Sequence, residues 1–229
     1  MFTMKSLAVL LAGTALAVGA QAATVSFNFT NALAKTEINQ TGSLGLFDSN
    51  LGVLTGVSLT FGGLSETTFT MVNTAAQGQI FSATGTTALS FSSSLGALNA
   101  AIVANNPVLT LSASSGNVFL NVGQSVTVGP VADSGATIWT SAGAPLNALG
   151  LGLFSVAGGG TFNLGCTSKS ALNADSGGGN GLFGQATNAA CIGEITYTYR
   201  DRPNDVPEPG ALALVGIALA GLALARRKA

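Results

Sequence analysis

Histidine is absent from the 229-residue chain, and this absence removes the commonest catalytic base of proteins. Without an imidazole there is no Ser-His-Asp or Cys-His arrangement and no His-Glu-x-x-His metal helix. The sequence also has neither a Gly-x-Ser-x-Gly nucleophile turn nor a phosphate-binding P-loop. Enzyme classes that depend on these groups are excluded, and we expect a protein that is not an enzyme.

Charge is scarce as well, since only 7% of the residues are Asp, Glu, Lys or Arg. Residues 23–205 contain four cations and eight carboxylates, a net charge of −4, and the cations form no patch. Nucleic-acid-binding surfaces need clustered positive charge, so nucleic acid is excluded as a partner. Apolar residues are too frequent for a disordered chain, and the segment has the length of one domain with a real core.

Carboxylates are the remaining candidates for chemistry. A glycosidase needs only two of them across a cleft, and this is the enzymatic alternative that stays open. Calcium could bind at Asp133 or in the loop 175–180, although no Asp-x-Asp-x-Asp-Gly spacing occurs. We interpret the carboxylates as solvated loop or strand-edge charges and expect neither metal nor cofactor. The residues concerned are Asp48, Glu66, Asp133, Asp175 and Glu194.

Three glycines, Gly179, Gly181 and Gly184, spell Gly-x-Gly-x-x-Gly. The dinucleotide fingerprint requires a strand before this motif and a helix after it. Here the motif lies in a stretch rich in Gly, Asn and Ser, predicted to be a loop. We therefore do not interpret it as a nucleotide site.

Large polar aromatics are few: Trp139, Tyr197 and Tyr199 are all that the chain offers for stacking on a sugar. The two tyrosines alternate with polar residues, which predicts that both face the core. An alternative function follows from Trp139: a carbohydrate-binding or carbohydrate-cleaving module that uses this ring with a pair of carboxylates.

Cys166 and Cys191 are the only cysteines. They enclose segment 173–188, which is rich in Gly, Asn and Ser and is predicted to be a loop without regular structure of its own. We predict a disulfide, which in an exported protein would close a loop of about 25 residues and stabilise the fold by about 3 kcal/mol. Two free thiols are the alternative. A zinc site is disfavoured, because two sulfurs without histidine rarely complete its ligand set.

Alternating hydropathy predicts an all-β domain built as an antiparallel sandwich of the jelly-roll type. The longest such pattern is Leu51–Phe61, in which Leu51, Val53, Val57, Leu59 and Phe61 share one face. One helix is predicted, Leu95–Ala104, ended by Asn105-Asn106-Pro107. Glycine-containing turns are predicted at 62–63, 115–117, 122–124 and 158–160. The other predicted strands are 25–29, 67–72, 89–91, 108–111, 117–122, 125–128, 136–140, 151–156, 161–164 and 192–199.

The N-terminal residues 1–22 have the three parts of a secretory signal peptide. Lys5 supplies the positive charge, Leu7–Val18 is an apolar segment too short for a stable membrane span, and Ala20-Gln21-Ala22 fits the cleavage rule for signal peptidase. We therefore expect a signal helix that is removed, a mature chain that begins at Ala23, and an ectodomain over residues 23–205.

The C-terminal residues 206–229 have three parts in a fixed order. A Pro-Glu-Pro turn, Pro207-Glu208-Pro209, precedes the apolar run Ala211–Ala225, and Arg226-Arg227 with Lys228 follow. Fifteen helical residues span roughly 22 Å, which is short for a bilayer core of about 30 Å. This length favours a transmembrane helix that holds the chain transiently, with the cations on the cytoplasmic side. A permanent anchor is the alternative.

This tail resembles the PEP-CTERM sorting signal of exported bacterial proteins. The resemblance implies recognition and cleavage by an exosortase, after a stage at the inner membrane of a Gram-negative, exopolysaccharide-producing host. The segment Leu46–Asp48 and Leu51–Val57 also resembles the opening of choice-of-anchor ectodomains of type E, which implies a β-rich extracellular domain. Together these features predict a surface or matrix protein of a biofilm, in contact with exopolysaccharide or with copies of itself.

Overall fold

The computed structural model describes residues 22–202, 214–219 and 226. Within residues 22–202 there are eleven strands and two short α-helices, and a 3-10 turn, Leu151–Phe154, follows the second helix. The helices are α1 (Gly96–Asn105) and α2 (Leu146–Leu149). The strands are β1 (Ala22–Thr30), β2 (Ala34–Lys35), β3 (Asn39–Asp48), β4 (Gly52–Asn73), β5 (Gln79–Ser93), β6 (Leu109–Ser114), β7 (Val118–Leu120), β8 (Ser125–Thr140), β9 (Ser155–Val156), β10 (Gly160–Asp175) and β11 (Gly181–Asp201).

Two sheets form the domain, and their strand order confirms the predicted sandwich. Sheet I has the order β1-β11-β4-β8, with β2 beside β11, and sheet II has the order β6-β5-β10-β3-β9, with β7 beside β5. If the short strands β2, β7 and β9 are left out and the other eight, the main strands, are numbered 1 to 8 along the chain, sheet I has the order 1-8-3-6 and sheet II the order 5-4-7-2. This interleaving is the jelly-roll arrangement. The pairs are antiparallel except β3 with β9, which pair in parallel over two residues.

Strand β4 corrects the predicted turn at Gly62-Gly63, because the chain runs through both glycines as one 22-residue strand. Gly63 lies on the inner face, where a Cβ atom would collide with the side chain of Leu89 on the opposite sheet. The glycine therefore permits close packing between the sheets, and it does not reverse the chain.

A bulge in β4 corrects the predicted face of its first residues. Gly56 pairs with Thr198, but Leu54 pairs with Tyr199, so Thr55 is an extra residue. Since alternation shifts by one at a bulge, Leu54 turns toward the core and Val53 is 60% exposed. Leu51, predicted on the buried face, is 48% exposed as well.

The prediction that residues 173–188 form a loop is also wrong. Strand β10 continues to Asp175, and β11 begins at Gly181, so that most of this segment is in strands and only residues 176–180 form the turn. Within its two strand portions, Asn173 pairs with β5, and Gly181, Gly184 and Asn188 pair with β4, so that partners distant in the chain supply what the sequence pattern does not reveal. The predicted strand at 151–156 is mostly the 3-10 turn, and β3 has no predicted counterpart.

Other local predictions agree with the structure. The predicted helix corresponds to α1, and Asn106 adopts a left-handed conformation at its C-terminal end, with φ of 42°. Turns are present at 115–117, 122–124 and 158–160, where Gly116, Gly123 and Gly158 have positive φ. Helix ends and tight turns depend on residues that are neighbours in the chain, and for that reason the sequence predicts them well.

The core is divided into two clusters along the long strands. The proximal cluster lies near the end where Ala22 pairs with Arg200, and it includes Phe47, Phe61, Trp139 and Tyr197. The distal cluster lies toward the other end and consists of Phe69, Met71, Phe81, Ala83, Ala113 and Leu120. We call the corresponding parts of the sandwich the proximal and distal halves.

The predicted signal helix lies outside the described residues, and most of the predicted transmembrane helix does too. Leu214–Leu219 are helical and exposed. Among the described residues there is no helix with the length and apolarity needed to cross a membrane. The structure therefore gives no support for either helix.

Candidate functional site

The first and last residues of the described domain both lie at the proximal end of the sandwich. Ala22, the first residue of β1, pairs with Arg200 near the end of β11. Arg202 then donates a hydrogen bond from Nη2 to the carbonyl oxygen of Ser49, at 3.0 Å. The predicted sorting tail begins four residues later, so it follows directly on the long central strand of sheet I.

The predicted sorting and cleavage residues lie mostly beyond the described ranges. Pro207, Glu208, Pro209 and Arg227 are outside them, as is Ala20 of the predicted signal-cleavage site. Arg226 is helical and exposed. Ala22 is exposed at the start of β1, so a chain that begins at Ala23 would lose only the first residue of that strand.

The predicted disulfide is present: Cys166 of β10 is bonded to Cys191 of β11. Because β10 belongs to sheet II and β11 to sheet I, the bond joins the two sheets through the core. Both sulfurs belong to buried residues, 2% and 1% exposed. The role differs from the predicted one, since the bond connects the layers of the sandwich and the segment that it closes is itself mostly strand.

The polar aromatics are core residues. Trp139 is 8% exposed and packs edge-to-face on Phe61, with ring centroids 4.8 Å apart. Tyr197 is fully buried, and its hydroxyl donates to the carbonyl oxygen of Gly45 at 2.8 Å. Burial raises the pKa of the Tyr197 phenol well above its ordinary value of 10.0. Trp139 therefore presents no open ring to a sugar, which removes the residue on which the carbohydrate module depended.

Two of the predicted carboxylates each accept hydrogen bonds from two backbone amides. Asp48 accepts from the amides of Asn50 and Gly158, at 2.9 and 2.8 Å. Asp133 accepts from Ser112 at 2.7 Å and from Ser134 at 2.9 Å. Ser112 belongs to β6 and Asp133 to β8, the edge strands of the two sheets on one side, so this carboxylate links the sheets there.

The other carboxylates are dispersed. Asp175 accepts from the amide of Gly177 at 2.9 Å within the β10–β11 turn, and Glu194 is exposed on the outer face of β11. In the described part of the chain there is no group of three Cys, Asp or Glu residues that could hold a metal ion. Gly181 and Gly184 are in β11, so the Gly-x-Gly-x-x-Gly pattern lacks the strand–loop–helix context of a nucleotide site.

A shallow depression lies on the outer face of sheet I and was not predicted. It is about 260 Å³, somewhat smaller than the roughly 300–1,000 Å³ of typical small-molecule pockets. Glu66 is its one charged side chain on that face, surrounded by apolar and small residues. No sequence signal brings Leu33, from the loop after β1, to this position. The lining residues are Leu33, Leu64, Ser65, Glu66, Ala132, Asp133 and Ser134.

Hydroxyl groups cover much of the same outer face near the proximal end. One row crosses all four strands of sheet I, since Ser26 pairs with Thr196, Thr196 with Ser58, and Ser58 with Thr140. The Ser26 and Thr196 hydroxyls are 2.7 Å apart and hydrogen-bonded. This row, which we call the hydroxyl row, forms a polar and uncharged strip.

The tail matches a known sorting motif. Residues 205–228 match the PEP-CTERM protein-sorting motif, which confirms the resemblance drawn from the Pro-Glu-Pro turn, apolar run and basic end. The chain is thus an exported protein that passes through the membrane toward the cell surface and is sorted by an exosortase. The match covers the tail alone, and the choice-of-anchor resemblance of residues 46–57 receives no support. A search of curated proteins produced no match.

Solved structures show only distant likeness to the sandwich. A chain of the T13 particle of infectious bursal disease virus is 9% identical over 87% of this chain and 46% of the viral chain, with a TM-score of 0.18. PorU from Porphyromonas gingivalis is 10% identical over 80% of this chain and 14% of its own, with a TM-score of 0.21. A sacbrood virus chain from honeybee is 12% identical over 83% and 89%, with a TM-score of 0.17. This chain spans about half the length of the first viral chain.

Proposed function

We propose that this protein is a non-enzymatic component of the bacterial cell surface or extracellular matrix, delivered by its tail. After signal peptidase acts near Ala22, the apolar tail holds the chain in the inner membrane. An exosortase then cuts near Pro207–Pro209 and releases or transfers the jelly roll. The observation that carries this proposal is the sorting motif at 205–228, which follows directly after the last strand of the sandwich.

The jelly roll supports a non-enzymatic role. Its carboxylates at Asp48 and Asp133 are occupied by backbone amides, and Trp139 is buried. A retaining glycosidase places its carboxyl groups about 5–5.5 Å apart across an open cleft, and an inverting one leaves room for water. The depression near Glu66 is shallow, and the second carboxylate among its lining residues, Asp133, is occupied by the amides of Ser112 and Ser134, so the depression does not favour such chemistry.

The hydroxyl row supports contact with exopolysaccharide. Hydrated polymers are rich in hydroxyl groups, and a flat surface of Ser and Thr side chains can exchange hydrogen bonds with them without charge. The row lies on an outer face that is free in the described chain. We place the polymer contact there and not at Trp139.

Mass spectrometry of the mature protein tests the delivery step. The full chain is expressed in an exosortase-bearing Gram-negative host, and its intact mass is measured after export. We expect a chain that begins at Ala23 and ends near Pro209. The double variant Pro207→Ala/Pro209→Ala should remain uncut, whereas Pro203→Ala, outside the matched motif, should be processed normally. A mature chain that still ends at Ala229 would overturn the proposal.

A further inference from the structure

In the distal half, the side of strand β11 that faces β1 and β2 elsewhere has no neighbouring strand among the described residues. On its other side β4 pairs with the whole strand, from Gly181 to Asp201. On this side β1 covers residues 192–200 and β2 covers 188–189. The last contacts are made by Thr36, whose amide and hydroxyl both donate to the carbonyl oxygen of Thr187, at 3.0 and 3.3 Å. Residues 181–185 then form an open edge within the part of the fold that the structure describes.

Strand geometry tells which backbone groups this edge presents. The amide and carbonyl of one residue point to the same side of an antiparallel strand, and successive residues alternate. The carbonyls of Thr187 and Cys191 point toward the β1–β2 side, where they accept from Thr36 and Asn31. The amides and carbonyls of Gly181, Phe183 and Gln185 therefore project from the open edge, while those of the residues between them face β4.

Sheet II is open on the same side. Strand β3 covers β10 only as far as Thr167. The amide of Ser168 donates to the carbonyl of Ile38 at 3.1 Å, and that of Ser170 to the Glu37 carboxylate at 2.9 Å. Beyond this point no described residue covers β10 on the side away from β5, and Leu172 is 38% exposed although it shares the inward face with Cys166. The distal half is thus unclosed along both sheets.

The open edge of β11 carries none of the usual protection against strand addition. Natural edges are blunted by charge, by proline or by a covering segment. Residues 181–193 contain no charged residue and no proline, and Leu182 is 61% exposed beside the edge. By contrast, the β6–β8 side is linked by the Asp133 carboxylate, and Phe27 and Phe29 of β1 cover β3 at Gly45 and Gly42.

We propose that the β11 edge, residues 181–185, is a strand-addition site for a second copy of this chain. An edge with alternating donors and acceptors complements itself when two copies pair antiparallel about a two-fold axis. Because the segment is neutral, no like charges meet in that pairing, and a charged partner finds nothing to match. Pairing continues sheet I from one copy into the next and covers Leu182.

The position of this edge suits copies that are held by their tails. Gly181 and Asp201 are the two ends of one strand of 21 residues, which spans roughly 70 Å. The pairing edge therefore lies at the end of the sandwich opposite the tail. The proposal rests on the proposed matrix role for its setting, and it names the partner in that role as the protein itself.

Sedimentation and hydrogen exchange of the exported full chain test the proposal. The protein is purified from its host in mild detergent, so that an uncut tail adds no association of its own, and is studied over a concentration series. We expect a monomer–dimer equilibrium in which the amides of Phe183 and Gln185 exchange more slowly as dimer forms. Both amides should exchange freely in the monomer.

Two edge variants and one control sharpen the test. Gln185→Pro removes an outward amide without losing a bond to β4, and Leu182→Lys adds a charge at a side chain already in solvent. Each should raise the dimer dissociation constant by about tenfold or more. Ser90→Lys, an exposed change on the central strand β5, should leave it unchanged.

The outcomes separate this proposal from the delivery step. A wild-type chain that stays monomeric at all concentrations, or a dimer that persists in both edge variants, would overturn edge pairing. Protection on dimerisation that falls on amides elsewhere and spares those of Gly181, Phe183 and Gln185 would do the same. If the tail is cut but the protein is monomeric, only the pairing proposal fails, and an uncut chain that pairs through β11 refutes only the processing.

Discussion

The proximal and distal halves of the sandwich share the strands β4 and β11 but differ in how those strands are covered. In the proximal half β11 lies between β1 and β4, and the rings of Phe47, Phe61, Trp139 and Tyr197 fill the space between the sheets. In the distal half the core is the small cluster around Phe69, Met71 and Phe81 and the β10 and β11 edges are open. The same strands therefore take part in a closed sandwich at one end and an open one at the other.

This difference separates two tasks. The proximal half contains the first and last residues of the described domain together with the larger core cluster and the disulfide, so it contains most of what stabilises the fold. The distal half has fewer buried side chains, and in the described chain the outward backbone groups at residues 181–185 have no strand partner. Regions with sparse apolar burial open more readily, and these are the regions in which binding surfaces occur. The predictions below test this division, beginning with the largest expected effect.

Core truncation should cost more in the proximal half. Phe61→Ala removes a ring that packs on both Phe91 and Trp139, with centroids 5.1 and 4.8 Å away, and should lower the free energy of unfolding by about 4 kcal/mol. Met71→Ala in the distal cluster should cost about 2 kcal/mol, because the thinner core relaxes around the cavity. Urea denaturation measures both values. An equal or larger loss for Met71→Ala would contradict the comparison.

Removal of the disulfide should have the next largest effect. The double variant Cys166→Ala/Cys191→Ala frees a loop whose ends are 25 residues apart, and stability should fall by about 3 kcal/mol. Because the bond joins the two sheets at the boundary of the open region, amides at the distal ends of β10 and β11 should also exchange faster. Urea denaturation and hydrogen exchange check the two effects. A loss below about 1 kcal/mol would show that the packed sheets need no covalent link.

Tyr197 gives the proximal core a dependence on alkaline pH. Burial raises the pKa of its phenol, so the unfolded chain ionises near pH 10 while the folded chain stays neutral. Stability is therefore unaffected well below pH 10 and falls as the pH rises above it. Tyr197→Phe should lose about 1 kcal/mol at pH 7, where the Gly45 carbonyl is left unpaired, and should lack this alkaline fall.

Unfolding of both proteins in urea at about pH 7 and about pH 10.5 provides the measurement. The two proteins differ at residue 197 alone, so the difference between their alkaline declines reports that residue. An identical alkaline decline in the two proteins would show that Tyr197 ionises without unfolding.

The smallest effect is expected at Asp133. Asp133→Ala removes the acceptor that links Ser112 of β6 to β8, at an exposed position where such bonds contribute about 0.5 kcal/mol. The matched change Glu194→Ala, on the exposed outer face of β11, should alter stability by less. Thermal unfolding of the two variants compares them. A larger loss at Glu194 would mean that the carboxylate has a partner or role beyond the one described.

Local signals in the sequence predicted much of the fold. Alternation at Val25–Phe29 and Ile195–Tyr199 placed strands correctly, and glycines at 116, 123 and 158 marked real turns. The same approach failed at Gly62-Gly63, because a glycine that allows two sheets to approach resembles one that turns the chain. It also failed at 173–188, where polar strand residues acquire their partners from β4 and β5, which are distant in sequence.

The sequence by itself determined that this protein is exported and sorted by an exosortase. A sorting motif is read in order along the chain, so Pro207-Glu208-Pro209, the apolar run and the basic end were sufficient to identify it. It also determined that a disulfide was available, since only Cys166 and Cys191 exist.

Only the tertiary structure decided which surfaces are free. Three features depend on pairings between residues tens of positions apart: the burial of Trp139, the link between the sheets at Asp133 and the open edge at residues 181–185. Each side chain has its neighbours set by sheet register, and register depends on the packing of both sheets together. The sorting tail can therefore be recognised from the order of residues along the chain. The open edge of β11 arises because the eight main strands form a closed sandwich in the proximal half and an open one in the distal half.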